Sequence, residues 1–172
     1  MLIKLIGCAI IIACTAKIGF DEAGKFTKRV REIRELQGAL IALKGEISFC
    51  RTPLAQALIK TGQRLSYPVS ELFKKAGTAL NSGGITAKDA WDDALFSIDK
   101  KLSLKSEEIY ILSSFGSLLG TGDAAGQIEN IELAASKLIM CERNATEDER
   151  KFVRLYRGLG VACGVFISIL FL

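Results

Sequence analysis

The sequence contains no histidine. That removes the side chain most often used as general base, proton shuttle or metal ligand at neutral pH. Proline is nearly missing as well: Pro53 and Pro68 are the only two in 172 residues. Few stretches are rich in β-branched residues, so the chain is expected to be helical throughout. The five cysteines form no C-x-x-C pair and no metal-type spacing. Cys8, Cys14 and Cys163 fall in apolar runs, where cysteine acts as a small hydrophobe. Cys50 and Cys141 leave one disulfide open on weak grounds, and the pattern favours a reducing, cytoplasmic setting.

Long apolar runs are present, and they sit at the two ends. The opening run, LIKLIGCAIIIACTAKIGF, carries only Lys4 and Lys17 as charges. The closing run, Leu155 to Leu172, carries only Arg157, which can snorkel to an interface. Each reads as a transmembrane helix, giving residues 1–20 and 155–172 as anchors around a helical domain at 21–154. No proline breaks the chain between Leu2 and Cys50, so the first anchor is expected to continue into the domain. As one helix that stretch would reach about 73 Å.

The basic residues set an orientation. Lys25, Lys28, Arg29, Arg31 and Arg34 follow the first run, and Arg150, Lys151, Arg154 and Arg157 border the second. The other side offers only Lys4 and the terminal amine. The positive-inside rule then places the domain in the cytoplasm and both termini outside. With a net charge of +4 and its cations gathered near the anchors, the chain suits anionic membrane lipid better than nucleic acid. A competing reading takes Ile11-Ile12-Ala13-Cys14 as a loose lipobox, which would make the chain an exported lipoprotein acting as an extracytoplasmic adaptor. A lone Lys4 is a poor leader, and the basic cluster opposes export.

Between the ends, Phe26, Val30, Ile33, Leu36, Leu40, Leu43 and Ile47 recur at three- and four-residue spacing. This predicts a first helix to about Cys50. Thr52 and Pro53 read as N-cap and first position of a second helix, and Tyr67-Pro68 restarts the chain for a third. Thr86 with Asp89 predicts a capping pair for a fourth helix carrying Trp91. A fifth turns Ile109, Leu112, Phe115 and Leu119 inward, and Asp123 caps a sixth that runs to the C-terminus. The result is all-α: an antiparallel six-helix bundle whose first and last helices pair and extend into transmembrane segments. The segment Glu142 to Lys151 reads as a solvated face, with a partner surface as the alternative.

No catalytic constellation emerges. Asp92 and Asp93 are sequence neighbours and do not share a helix face. Ser103, Lys105 and Ser106 fit a helix start. The glycines from Gly116 to Gly126 lack any nucleotide-loop pattern and any preceding strand. No enzyme, cofactor or metal site is expected. The stretch FGSLLGTGDAAGQIENI still has specific features: Gly116 and Gly120 for close helix approach on the inner side of the fifth helix, Gly122 for a left-handed turn, Asp123 as cap, and Gln127 to bond across the tip. Structure alone would account for these features; the functional reading is a partner-docking tip at the membrane-distal end, with Thr52 beside it.

These residues resemble a known family. Phe115-Gly116, Leu119-Gly120, Asp123, Gln127 and Ile131, with Thr52-Pro53-Leu54, Pro68-Val69-Ser70, Leu72-Phe73, Trp91 and Ile33-Arg34, look like the stage III sporulation protein AB pattern, in order and across essentially the whole chain. The resemblance implies a part in endospore formation, within a mother-cell membrane complex that builds a secretion-like channel to the forespore. It also implies a domain similar to the cytoplasmic helical domain of the type II secretion platform protein F. That relative has two such domains and more membrane passes than this chain. The partners implied are other stage III sporulation membrane proteins and a secretion-type cytoplasmic ATPase, stage III sporulation protein AA.

Overall fold

The computed structural model describes Leu2 to Leu170. Met1, Phe171 and Leu172 lie outside the described residues, as do the side chains of residues 2–6, Cys8 and Leu170. The expectations resting on Lys4 and Cys8 therefore fall outside it too. Among the described residues every regular element is helical: α1 (Leu2–Ser48), α2 (Leu54–Gln63), α3 (Val69–Ser82), α4 (Ala87–Ile98), α5 (Ser106–Ser117) and α6 (Ala124–Leu170), with a 3-10 turn at Asp99–Lys101. The chain divides into two compact units, Met1–Val30 with Asn144–Leu172 and Arg31–Arg143.

The unit Arg31–Arg143 is built on the predicted stripes. Ile33, Leu36, Leu40 and Leu43 of α1 are buried, as are Leu72 and Phe73 of α3, Trp91 and Ile98 of α4, Leu112 and Phe115 of α5, and Ile131 and Leu138 of α6. Trp91 stands edge-on to Phe73 at 5.3 Å and to Phe115 at 5.1 Å between ring centroids. Its indole Nε1 donates to the Leu112 carbonyl at 2.8 Å, so burial leaves no orphaned donor. A Cβ on Gly77 of α3 would come within 2.8 Å of the Ala55 carbonyl. That missing side chain lets α2 and α3 approach backbone to backbone. Along this unit α1 and α6 run in opposite directions, as the pairs Arg34–Glu142 and Lys44–Glu132 show.

Loop chemistry follows the sequence in most places. The Thr86 hydroxyl accepts from the Asp89 amide at 3.1 Å and donates to the Asp89 carboxylate at 2.7 Å, closing the capping pair at the start of α4. Tyr67–Pro68 is a cis peptide leading into α3. One start differs from expectation. α2 begins at Leu54 after Pro53 with no side-chain cap, because the Thr52 hydroxyl is donated to Glu46 instead. Neither Cys50, which is exposed, nor Cys141, which is buried, is in a disulfide.

In the unit formed by Met1–Val30 and Asn144–Leu172, α1 and α6 again run in opposite directions and meet through small residues. A Cβ on Gly19 would lie 2.6 Å from the Tyr156 carbonyl, and one on Gly160 would lie 2.9 Å from the Thr15 carbonyl. Gly164 packs against Ile12 in the same way. Small residues at four-residue spacing let two apolar helices touch along their backbones. Phe26, Phe152 and Tyr156 stack beside this contact, with centroids 5.3 Å and 5.7 Å from Phe26.

Candidate functional site

The α5–α6 connection is the ordered turn that the sequence singled out. Gly116, in the last turn of α5, lies against Trp91: a Cβ there would fall on the indole ring, 2.9 Å from both Cγ and Nε1. Gly120 lies past the end of α5 rather than on its inner side, with φ 75°. Its Cβ would meet Ala87 Cβ at 2.8 Å and Leu54 Cδ2 at 3.9 Å, so the turn is seated on the first residues of α4 and α2. Gly122 also has positive φ, 79°, a conformation that L side chains resist. The Asp123 carboxylate then accepts from the Gly126 amide at 3.0 Å, capping α6. Gln127 Nε2 reaches back to the Thr121 carbonyl at 3.1 Å. Residues 120–125 are exposed throughout. Phe49, Ile85 and Leu118, which border the three touching segments, are exposed by 87%, 40% and 42%.

Thr52 belongs to the same neighbourhood through Leu54, and it is held from α1. Its hydroxyl donates to Glu46 at 3.1 Å and its amide to the Glu46 carbonyl at 3.1 Å. Lys60 of α2 and Arg64 just past its end approach the same buried carboxylate at 3.4 Å each. The Thr52 hydrogen bond is the largest influence on Glu46 and holds it below the usual carboxylate range, against the opposing effect of burial. Lys60 and Arg64 push in the same direction as Thr52. Arg51 beside it takes a positive φ of 48° without being glycine.

The basic residues divide by environment. Lys28, Arg31, Arg150, Lys151, Arg154 and Arg157 are exposed, and Lys25 is exposed beside Glu22. Arg157 lies over the Phe20 ring at 5.2 Å. Arg29 departs from the expectation of a membrane-facing cation. It is 4% exposed, and its guanidinium donates to Asp148 at 2.9 Å. Arg34 is exposed but bonded to Glu142 at 2.6 Å, and this bond is the first cause of Glu142 lying below the usual carboxylate range. Within α6, the segment Ala124–Ile169 contains a stretch of mean hydropathy 1.5, long and apolar enough to cross a membrane and only 11% buried.

The family described as stage III sporulation protein AB matches residues 4–172 of this sequence. The chain belongs to the stage III sporulation protein AB family. It is similar to stage III sporulation protein AB of Bacillus subtilis (strain 168), at 35% identity over 169 residues, 98% of this chain and 99% of that one. A solved structure of stage III sporulation protein AB superposes with a TM-score of 0.68 at 36% identity, over 72% of this chain and 98% of that chain. Family membership carries a role in sporulation, and the family's description names no enzymatic activity. With the apolar stretch in α6, it also points to membrane association.

Three carboxylates central to this family member's local order escaped the sequence reading. Glu32, Glu46 and Glu108 are 2%, 7% and 0% exposed. Glu32 accepts from the Ser103 amide at 2.7 Å, and Glu108 from the Lys105 amide at 2.6 Å at the start of α5. Each thus ties down a connection by satisfying a donor that burial would otherwise orphan. Glu46 sits three residues beyond Leu43, a position on the buried stripe that its charge disguised. Glu107, Glu108 and Cys141 bring ligand-type atoms within 4.8 Å of one another. Since the Glu108 carboxylate already serves the helix start, its structural duty accounts for this grouping.

Proposed function

We propose that this chain is a non-enzymatic membrane platform component of the secretion-like channel between mother cell and forespore, offering the α5–α6 turn to an assembly partner. In this reading residues 21–154 form an antiparallel six-helix bundle in the cytoplasm. Residues 1–20 and 155–172 cross the mother-cell membrane, with both termini outside. Lys25, Lys28, Arg31, Arg150, Lys151, Arg154 and Arg157 meet anionic lipid, the positive-inside pattern supporting that side. The partners are other stage III sporulation membrane proteins and the secretion-type cytoplasmic ATPase, stage III sporulation protein AA.

One observation carries the reading. The turn from Gly120 to Gln127 is exposed over residues 120–125 yet closely specified by two left-handed glycines, an aspartate cap and the Gln127 cross-bond. Exposed connections that serve packing alone tolerate variation and mobility. Fixing this one, two residues past the exposed Leu118, prepares a surface for another protein at low ordering cost.

The test is a pull-down of the ATPase by the full membrane-bound chain. Asp123→Ala and Gln127→Ala should weaken capture while the protein still accumulates in membranes; normal capture by both would make the turn merely structural. Topology is read from Ser82→Cys, the exposed last residue of α3. Protection from an impermeant thiol reagent in intact cells is expected, and labelling there would reverse the orientation.

A further inference from the structure

We infer that the exposed face of α6 at Arg150, Arg154 and Gly158 is a binding groove for a single anionic phospholipid. This face is an open, shallow depression of about 490 Å³ lined by Arg150, Lys151, Arg154, Leu155, Gly158, Leu159 and Ala162. It lies wholly on α6. Arg150, Arg154 and Arg157 follow one another at four and three residues, which puts them on one side of the helix. Gly158 and Ala162 continue that side toward the apolar end. Gly158 has no neighbouring atom within 4 Å of where its Cβ would stand, so the glycine opens space rather than admitting a packed helix. Leu155 and Leu159 rise beside it, 50% and 49% exposed.

Chemistry selects the occupant. Arg150, Lys151 and Arg154 make no ion pair among the described residues, so their charges are available to a phosphate. A guanidinium presents a planar fork that fits phosphate oxygens two at a time. The apolar floor beyond it suits an acyl chain, and a molecule with a phosphate head and hydrocarbon tail matches the change from cationic to apolar along one face. Glu149 borders an adjoining depression together with Arg150, Val153, Arg154 and Arg157, offsetting only part of the positive charge. A second copy of the chain is a poorer occupant. Two α6 helices packed in the same membrane orientation through Gly158 and Ala162 would bring Arg150 and Arg154 against their own counterparts, a like-charge juxtaposition.

This inference rests on the membrane-spanning reading of α6, and the experiment separates the two. The full chain is extracted in mild detergent from vesicles of phosphatidylcholine with phosphatidylglycerol, and retained lipid is read by native mass spectrometry. The wild type should keep one phosphatidylglycerol in preference to phosphatidylcholine. Gly158→Leu fills the groove, changes no charge and meets no neighbour, and should abolish that preference while leaving membrane fractionation intact. Arg154→Gln should reduce retention about fivefold, the size expected for one basic residue at an anionic surface. Retention unchanged in Gly158→Leu overturns the groove. A shift in oligomeric mass in place of lipid loss would overturn it in favour of self-association. Failure of the wild type to fractionate with membranes removes the underlying reading as well.

Discussion

Gly116 lies so close to Cδ1 of Trp91 that any side chain at position 116 would occupy the space of the indole ring. The tryptophan is meanwhile fixed from three sides, by Phe73, by Phe115 and by its hydrogen bond to the Leu112 carbonyl. The same residue that forms the centre of the helical core therefore sets where α5 must end and where the exposed turn begins. Core packing and the candidate docking surface share one contact.

Gly116→Ala should destabilise the fold by about 1–3 kcal/mol, the usual cost of forcing a methyl group into a filled core. Trp91 is the sole tryptophan, so its fluorescence during urea unfolding reports the change directly. An unaltered midpoint would show that the indole moves aside without cost.

Glu46 predicts an acid-sensitive connection. Its folded pKa is lowered, first by the Thr52 hydrogen bond and then by Lys60 and Arg64. Such a group stabilises the fold above the unfolded value near 4.5 and loses that contribution as pH falls through the lower folded value. Thermal melts from neutrality into acid should show Glu46→Gln with a lower melting temperature at neutral pH and a flatter acid limb. Proteolysis near Arg51 should rise in the same variant. Equal acid slopes in both proteins would remove Glu46 from the account.

Gly160→Leu should break the close contact of α1 with α6, since its Cβ would stand 2.9 Å from the Thr15 carbonyl and 3.0 Å from Gly19 Cα. Gly24→Leu supplies the control, because nothing lies within 4 Å of its Cβ. The expected result in detergent is a lower melting temperature and faster proteolysis for Gly160→Leu only. Equal behaviour of the two would mean that the helices separate freely.

Asp123→Ala should cost about 1 kcal/mol, the typical worth of an aspartate N-cap. Gly122→Ala should cost a similar amount through its positive φ. Comparing the two by urea unfolding and partner capture distinguishes stability from recognition. If both weaken the fold equally but only Asp123→Ala loses the partner, the carboxylate itself is recognised.

Periodicity made the helices legible because apolar spacing and burial obey the same geometry. Ile33, Leu36, Leu40 and Leu43 are all buried where the stripe put them, and Thr86 with Asp89 closed as its short-range pattern implied. Charged residues broke the rule. Glu32, Glu46 and Glu108 point inward because each receives a donor from a connecting segment, and the donor to Glu32, Ser103, is 71 residues away. Arg29 is buried for the same reason, through Asp148, 119 residues away. A pattern that assigns every charge to the outside has no means of seeing such partners. Thr52 misled in the opposite sense: it had the identity of an N-cap, but Glu46 competed successfully for its hydroxyl.

The pairing of Arg29 with Asp148 also has a consequence in time. At about 5–20 residues per second during synthesis, the arginine must wait on the order of ten seconds before its partner leaves the ribosome. Throughout that interval the glycine-lined face of the opening helix is equally without its mate. Completion of this pair therefore comes later than the contacts among the helices that lie between its two members, and until then the opening helix carries an uncovered small-residue face.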